Sequence, residues 1–281
     1  MFNKIKNSWN LMKASAAVLQ ADKELMIFPI LSSIGVLIVT ATFAFPMIAA
    51  DVFDKMGTGN SQYVTYIVLF FFYIVQYTVI IFANSALIGA AMIRLKGGDP
   101  TVGDGFRIAF QHLGNILGYA LLSATVGMIL RMISERSGNL GRIVTSLVGL
   151  AWNLATYLVV PVLVIEDVGP VGAIKRSAVL LKKTWGEQIV GNFSIGLIFG
   201  LASVLVILLG IPLFILAASL EAWALMIAFG VIFVLVLVFL GLINSTLTGI
   251  YVAAVYRYAA EGEASGFFDE QMIQGAFRLK E

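Results

Sequence analysis

Six long runs of apolar residues dominate the hydrophobic pattern of this chain, and short polar stretches separate them. None of the runs contains an aspartate or a glutamate, so all 16 acidic residues lie between or beyond them. Each run reaches or approaches the roughly 20 apolar residues that an α-helix needs to cross the hydrocarbon core of a bilayer. The pattern therefore predicts six membrane-spanning helices near residues 25–50, 63–93, 114–130, 143–165, 189–219 and 222–255.

Three shorter stretches carry apolar residues at spacings of three and four, which is the period of one helical face. In the N-terminal segment 1–24 this stripe consists of Ile5, Trp9, Met12, Ala16 and Leu19. Between the fourth and fifth runs it consists of Val171, Ile174, Ala178, Leu181 and Trp185, and between the second and third, more loosely, of Val102, Phe106, Phe110 and Leu113. Such stripes with flanking basic residues are typical of amphipathic helices in the headgroup layer of a membrane. The same helices can also simply pack beneath the transmembrane bundle, and both interpretations can hold together.

The order of one amphipathic helix and two spans occurs three times, which suggests an internal duplication. The motif Asn-Ser-x-Leu-x-Gly supports this, because it stands at residues 84–89 in the second span and again at 244–249 in the sixth. Internal repeats are common in membrane transport proteins. A short gapped match between helices rich in small residues can also arise by chance.

The composition is that of a polytopic membrane protein, and the distribution of its basic residues predicts how the chain is oriented in the membrane. The chain is 60% hydrophobic and 12% charged, whereas soluble domains average about 45–50% and about 25%. Lysine and arginine are enriched in the cytoplasmic loops of membrane proteins. If both termini are cytoplasmic, fourteen of the 18 basic residues lie on that side. We therefore predict a single all-α transmembrane domain over residues 1–281, with both the N-terminal helix and the tail 256–281 in the cytoplasm.

The third loop does not fit this orientation, because Arg131, Arg136 and Arg142 would lie on the outer side. Arg131 can pair with Glu135 one helical turn away and can reach the interface from the end of its span. Alternatively, Arg131 faces a water-filled vestibule. The sequence leaves both interpretations open.

Polar side chains inside the spans are the usual place to look for function in a membrane protein. The candidates here are neutral, and we single out Asn84, Asn153 and Asn244 as residues of a possible polar path. Asparagine also bonds between helices in lipid, so packing is the competing explanation. No span contains a carboxylate, and the one histidine, His112, lies in a loop. This pattern argues against proton-coupled transport.

Enzymatic chemistry has little support in this sequence. No glycine-rich phosphate loop, His-Glu-x-x-His motif or Gly-x-Ser-x-Gly motif is present, and the chain has no cysteine. His112, Asp104 and Glu166 are the titratable groups that a catalytic role would have to use, and a cation site from Asp99, Asp104 and Glu166 has no support in their spacing. We therefore predict no enzymatic activity, no metal and no cofactor.

Two strings carry a resemblance to known families. Residues 158–188, LVVPVLVIEDVGPVGAIKRSAVLLKKTWGEQ, resemble a broad group of bacterial membrane proteins that includes the membrane domain attached to some glycerophosphodiester phosphodiesterases. The string at 8–29, SWNLMKASAAVLQADKELMIFP, is similar to a narrower prokaryotic family of polytopic proteins, a domain of unknown function. The resemblance implies six spans with interfacial helices in a prokaryotic inner membrane. It does not imply hydrolysis, because the chain lacks the phosphodiesterase catalytic domain.

These observations lead to one functional hypothesis and one alternative. The first is a non-enzymatic inner-membrane protein that organises lipids, anionic ones among them, or protein partners through its basic helices. The residues assigned to this role are Trp9, Lys13, Lys175, Arg176, Lys182, Lys183 and Trp185. The glycine-rich spans also permit a homo-oligomer, and no nucleic-acid partner is expected. The alternative is an uncoupled transporter or channel for a neutral or lipidic solute, with the three asparagines along its path.

Overall fold

The computed structural model describes residues 2–49, 61–185, 194–219 and 223–274 of the chain. All regular structure in these ranges is helical, and six stretches are long and apolar enough to cross a membrane. This confirms the predicted fold class, an all-α bundle with six candidate spans. Residues 189–193 of the predicted fifth span and 275–281 of the predicted tail lie outside the described ranges.

The helices follow one another as three units. Unit 1 contains α1 (Phe2–Ala21), a 3₁₀ turn (Lys23–Met26), α2 (Ile27–Ala49) and α3 (Ser61–Leu95). Unit 2 contains α4 (Val102–Gln111), α5 (Leu113–Arg136), α6 (Asn139–Ala155) and α7 (Val159–Ile165). Unit 3 contains α8 (Pro170–Trp185), α9 (Ser194–Ser219) and α10 (Trp223–Glu261), and α11 (Glu270–Gln274) follows it. Each unit begins with one helix, α1, α4 or α8, that precedes two candidate spans; we call these three the surface helices.

The fourth candidate span is broken in two, although its hydrophobic run is continuous. α6 ends at Ala155, and α7 begins at Val159 after a turn over residues 156–158. Pro161 explains the break, because a proline lacks the amide hydrogen of a helix interior and clashes with the carbonyl four residues earlier. In the first turn of a new helix the same proline is tolerated. The predicted span at 143–165 is therefore two helices rather than one.

Buried side chains are concentrated at one end of the long helices. In α3 the residues 81–95 are mostly buried, whereas most side chains within 64–75 are half-buried or, at Val64, Ile67, Phe71 and Val75, exposed. In α10 burial is nearly continuous over 246–256, after an exposed stretch over 223–239. We call the buried end, with α1, α4, α7 and α8, the packed half of the molecule. The rest of the long helices forms the exposed half.

Helices α3 and α10 run in the same direction through the packed half. Gly249 of α10 lies directly against the Leu87 side chain of α3, a contact that leaves no room for a Cβ atom. Further along, the Arg257 guanidinium donates to the Leu95 carbonyl, and Lys96 forms a 2.8 Å ion pair with Glu261. These contacts advance together along both helices, so the two Asn-Ser-x-Leu-x-Gly motifs lie side by side at nearly the same depth.

The three units pack against one another in a cycle. The second span of each unit contributes one helix to the centre, where α3, α7 and α10 contact each other. Surface helix α4 packs on α3, with Gly105 close to the Ala86 carbonyl and the Phe28 ring. Surface helix α8 packs on α7, and α1 closes the cycle by packing on α10. Each surface helix therefore lies on the second span of a different unit.

Candidate functional site

Surface helix α8 folds back along α7 as an antiparallel hairpin, and small side chains allow the two helices to approach closely. Ala173 and Ser177 of α8 are fully buried. The Ser177 hydroxyl accepts a 3.0 Å hydrogen bond from the amide of Leu158, which immediately precedes α7. That amide would otherwise be one of the unpaired donors at a helix N-terminus. The hydrogen bond therefore fixes α8 to the break in the fourth span.

The opposite face of α8 is exposed and combines basic with apolar side chains. Lys175, Lys182 and Lys183 are exposed, and Val171 and Val179 are 56% and 55% exposed. Within the described residues none of these lysines forms an ion pair. Trp185 ends the helix, and its side chain lies outside the described part of the structure. The lysines of the predicted site therefore share one outward surface.

Arg176 differs from these lysines because it has an internal partner. Its Nε atom lies 2.8 and 3.0 Å from the two carboxylate oxygens of Glu166, at the end of α7. The Tyr256 hydroxyl of α10 donates to the same carboxylate at 3.2 Å. Glu166 thus joins α7, α8 and α10, and the Arg176 guanidinium contributes to this connection.

Surface helix α1 also has one buried and one exposed face. Leu11, Ser15 and Val18 are fully buried. Trp9 is 46% exposed, and the Lys13 ammonium lies 5.7 Å from the centroid of its ring, within the range of a cation–π contact. The predicted residues Trp9 and Lys13 therefore form a second outward surface that combines a cation with a large apolar side chain.

The end of α1 is fastened to α3 by Arg94. The guanidinium donates to the Ala21 carbonyl at 3.3 Å and to the Asp99 carboxylate at 2.6 Å, and it lies 3.5 Å from Asp22. Burial raises the pKa of Asp22 above the usual aspartate value, an effect that the neighbouring Arg94 charge opposes. Arg94 therefore helps to hold the end of α1 against α3 in unit 1.

Surface helix α4 begins with a capping box. The Thr101 hydroxyl accepts a hydrogen bond from the Asp104 amide, and the Asp104 carboxylate accepts one from the Thr101 amide. Hydrogen bonds from the Thr101 hydroxyl and amide lower the pKa of Asp104. Asp104 also pairs with Arg107 at 2.7 Å, and the Arg107 side chain remains 67% exposed. Among the basic residues on surface helices, sequence reasoning left Arg107 out of the candidate site.

Two of the three asparagines of the possible polar path lie on α3 and α10, two helices that pack against each other. Asn84 of α3 and Asn244 of α10 belong to the paired motifs and are partly buried, and the Asn244 Oδ1 atom is buried without a partner in the described structure. Asn153 is exposed on α6, which packs against α5 and α8. The three side chains therefore do not follow one another along a single helix interface.

Two cavities of the described structure are lined by other residues. One, of about 10 Å³, lies between α3 and α5 beside Tyr73, Arg131 and Glu135. There Arg131 donates to the Tyr73 hydroxyl and to the Glu135 carboxylate, each at 2.7 Å. The other is an open apolar groove along residues 232–240 of α10. The Arg131–Glu135 pairing predicted from their spacing is therefore present within α5, and the hydrogen bond from Arg131 to Tyr73 joins α5 to α3.

The titratable groups that a catalytic role would require are engaged in separate contacts. Asp104 caps α4, Glu166 binds Arg176, and the His112 Nε2 atom lies 3.5 Å from Asp167. Over the residues that the structure describes, no three histidine, aspartate or glutamate side chains come close enough together to hold a metal ion.

The comparison with known families gives one match. The model of a family of unknown function, DUF6159, matches residues 63–267, from the start of α3 to just beyond α10. The string at 8–29 that carried the resemblance to a narrow family lies outside the matched residues. No curated protein matches the chain.

Proposed function

Because the chain belongs to the DUF6159 family, whose function is unknown, we propose from its geometry that it is a membrane protein that binds anionic lipids. It does so through its basic surface helices and organises lipids or partner proteins around the bundle, without catalysis. The outward surface of α8 carries this proposal. There, three exposed lysines stand among exposed valines, and the small side chains of the opposite face bind the helix to α7.

The chemistry of this surface suits the boundary between headgroups and acyl chains. A helix at that boundary places apolar side chains toward the acyl region and lysines toward phosphates. Each basic residue near an anionic leaflet contributes about 1 kcal/mol. Lys175, Lys182 and Lys183 together therefore supply about 3 kcal/mol to lipid binding, and Trp9 with Lys13 adds a further contribution from α1.

The proposal includes a location. The distribution of lysine and arginine favours the cytoplasmic side of the membrane for the surface helices and for both termini. The resemblance of residues 158–188 supports two further parts of the proposal. One is a prokaryotic inner membrane as the location, and the other is a distant relationship to the membrane domain of some glycerophosphodiester phosphodiesterases. Association with copies of the chain or with other proteins is also part of the proposal.

Lipid retention after purification tests this function. The variant carries Lys175→Gln, Lys182→Gln and Lys183→Gln together and keeps Arg176, whose loss would disturb the Glu166 contacts. We expect native mass spectrometry to show much less phosphatidylglycerol on this variant than on the wild-type protein. Substituting the same three positions with arginine is the matched control and should preserve retention. Equal retention by the glutamine variant would refute the proposal.

A second candidate is an uncoupled path for a neutral or lipidic solute. One observation favours it: within the described residues, the buried atoms Ser85 Oγ, Asn244 Oδ1 and Tyr251 Oη have no hydrogen-bond partner, and they lie on α3 and α10, which pack together. Because the chain has no cysteine, single cysteines at 84 and 244 give a clean test. Labelling of both by a small polar thiol reagent in intact membranes would support a path, and protection of both would eliminate it.

A further inference from the structure

The three surface helices share a pattern of burial that their sequences do not display as a common motif. In each helix two fully or largely buried residues stand four apart, and a basic residue stands midway between them. The three sets are Leu11–Lys13–Ser15 in α1, Gly105–Arg107–Ala109 in α4 and Ala173–Lys175–Ser177 in α8.

The geometry of a helix gives this pattern a consequence. Residues two apart are separated by about 200° around the axis, since one turn takes about 3.6 residues. A basic residue midway between two buried ones therefore points away from the protein. Lys13, Arg107 and Lys175 are all exposed, as this geometry requires.

Each of the three basic residues also has a large exposed apolar neighbour one helical turn away. Trp9 accompanies Lys13, Phe110 accompanies Arg107 and is 62% exposed, and Val171 and Val179 flank Lys175. Every outward face therefore combines one cation with an exposed apolar side chain.

The cyclic packing of the units relates these three faces to one another. Each surface helix lies on the second span of a different unit, and the three second spans meet at the centre. The buried residues of the pattern form the inner side of each surface helix. The cations consequently point outward from the packed half in three separate directions around the bundle.

We propose that Lys13, Arg107 and Lys175 are the centres of three corresponding sites, each of which binds the phosphate of one anionic phospholipid. The proposal rests on the lipid-binding function above and extends it in two ways. It adds α4 with Arg107, and it predicts up to three such lipids per chain. Charge complementarity selects an anionic headgroup, and the adjoining Trp9, Phe110 or valine side chains select a ligand with acyl chains.

The three sites differ in strength for a reason visible in the structure. Lys13 and Lys175 form no ion pair within the described residues, whereas Arg107 binds Asp104. A guanidinium has five N–H donors, so Arg107 keeps donors for a phosphate. The neighbouring carboxylate still repels that phosphate, and the α4 site is therefore the weakest of the three.

The test counts lipids on the full chain in nanodiscs and after release into detergent, with phosphatidylglycerol compared against phosphatidylcholine of the same acyl composition. Lys13→Gln, Arg107→Gln and Lys175→Gln should each lower retention at one site about fivefold, which corresponds to about 1 kcal/mol. The triple variant should lose the preference for phosphatidylglycerol. Lys23→Gln, at an exposed lysine of the 3₁₀ turn outside the three surface helices, is the matched control for a non-specific charge effect, and melting temperatures confirm that the variants fold.

Three outcomes would overturn this inference, and they are distinguishable. If wild-type protein retains no phosphatidylglycerol, the proposed function fails with it. If retention depends on Lys182 and Lys183 but not on Lys13 or Arg107, lipid binding stands and the three corresponding sites do not exist. If inorganic phosphate displaces the bound lipid completely at equal headgroup concentration, the sites recognise phosphate alone, without a contribution from the acyl chains.

Discussion

The packed and exposed halves of α3 and α10 lie in opposite environments. Residues 64–75 of α3 expose large side chains such as Ile67 and Phe71, whereas residues 81–95 bury Ala86, Ala90 and Ala91 almost completely. The packed half of α3 has more small residues, and its exposed half has more large aromatic and aliphatic ones. Small side chains let helix backbones approach closely, and this is how helices associate where the surroundings are as apolar as the protein. Large apolar side chains need no protein partner in a bilayer.

The lengths of the two helices lead to the same division. α10 has 39 residues, or about 58 Å at the helical rise of 1.5 Å per residue, whereas a bilayer hydrocarbon core is about 30 Å thick. The exposed stretch from 223 to 239 and the residues just after it are sufficient to cross that core without tilt. The remaining residues of α10, up to Glu261, form its packed half. Three pairs of variants test this difference between the two halves.

The largest difference should come from truncating leucines. Leu87 is fully buried in the packed half, and Leu235 is 61% exposed in the exposed half. Leu87→Ala should lower the free energy of unfolding by about 2–5 kcal/mol, because it leaves a cavity. Leu235→Ala should change it by less than about 0.5 kcal/mol, as surface substitutions do. Thermal unfolding in one detergent measures both, and equal losses would show that the halves are packed alike.

A smaller difference should come from filling two glycines of α10. Gly249 touches Leu87, and Gly241 has open space around its Cα atom. Gly249→Val should cost about 1–3 kcal/mol of stability, the usual effect of overpacking. Gly241→Val should be tolerated. The measurement is again the unfolding midpoint, and an unaffected Gly249→Val protein would contradict the close approach of α3 and α10.

The smallest difference should come from two serines. Ser177→Ala removes the acceptor for the buried Leu158 amide and should cost about 1 kcal/mol, the usual net contribution of one hydrogen bond. Ser146 of α6 is exposed, and over the ranges that the structure describes its hydroxyl bonds only to the Arg142 carbonyl of its own helix. Ser146→Ala should therefore leave stability nearly unchanged. Hydrogen exchange at Leu158 gives a direct measurement; an amide that stays equally protected in Ser177→Ala would show that the hydroxyl is dispensable.

Sequence reasoning could find the candidate spans because hydropathy and length alone define them. It did not divide a span into a packed and an exposed half, because both halves belong to one continuous apolar run. The stripe predicted on α8 included Val171, which is exposed, and omitted Ala173 and Ser177, which are buried. The stripe followed apolar spacing alone, whereas the buried face of α8 combines small residues with Leu180 and Leu181.

The sequence predicted which basic residues lie on the surface helix, but not which of them form ion pairs. Lys175, Lys182 and Lys183 are exposed, as a basic helix face suggests. Arg176 looked equivalent to them in sequence, yet it binds Glu166 across the α7–α8 turn. Arg107 had a visible signal that went unused: it stands between Gly105 and Ala109, two small residues at the spacing of one helix face.

The contact of Arg257 with the Leu95 carbonyl has a consequence for biogenesis. During synthesis the ribosome completes α3 long before it reaches Arg257, so the terminus of α3 stays uncapped while most of the polypeptide is still being made. Docking of α1 onto α10 is delayed in the same way. A nascent chain that stops before Arg257 therefore leaves the end of α3 without this contact.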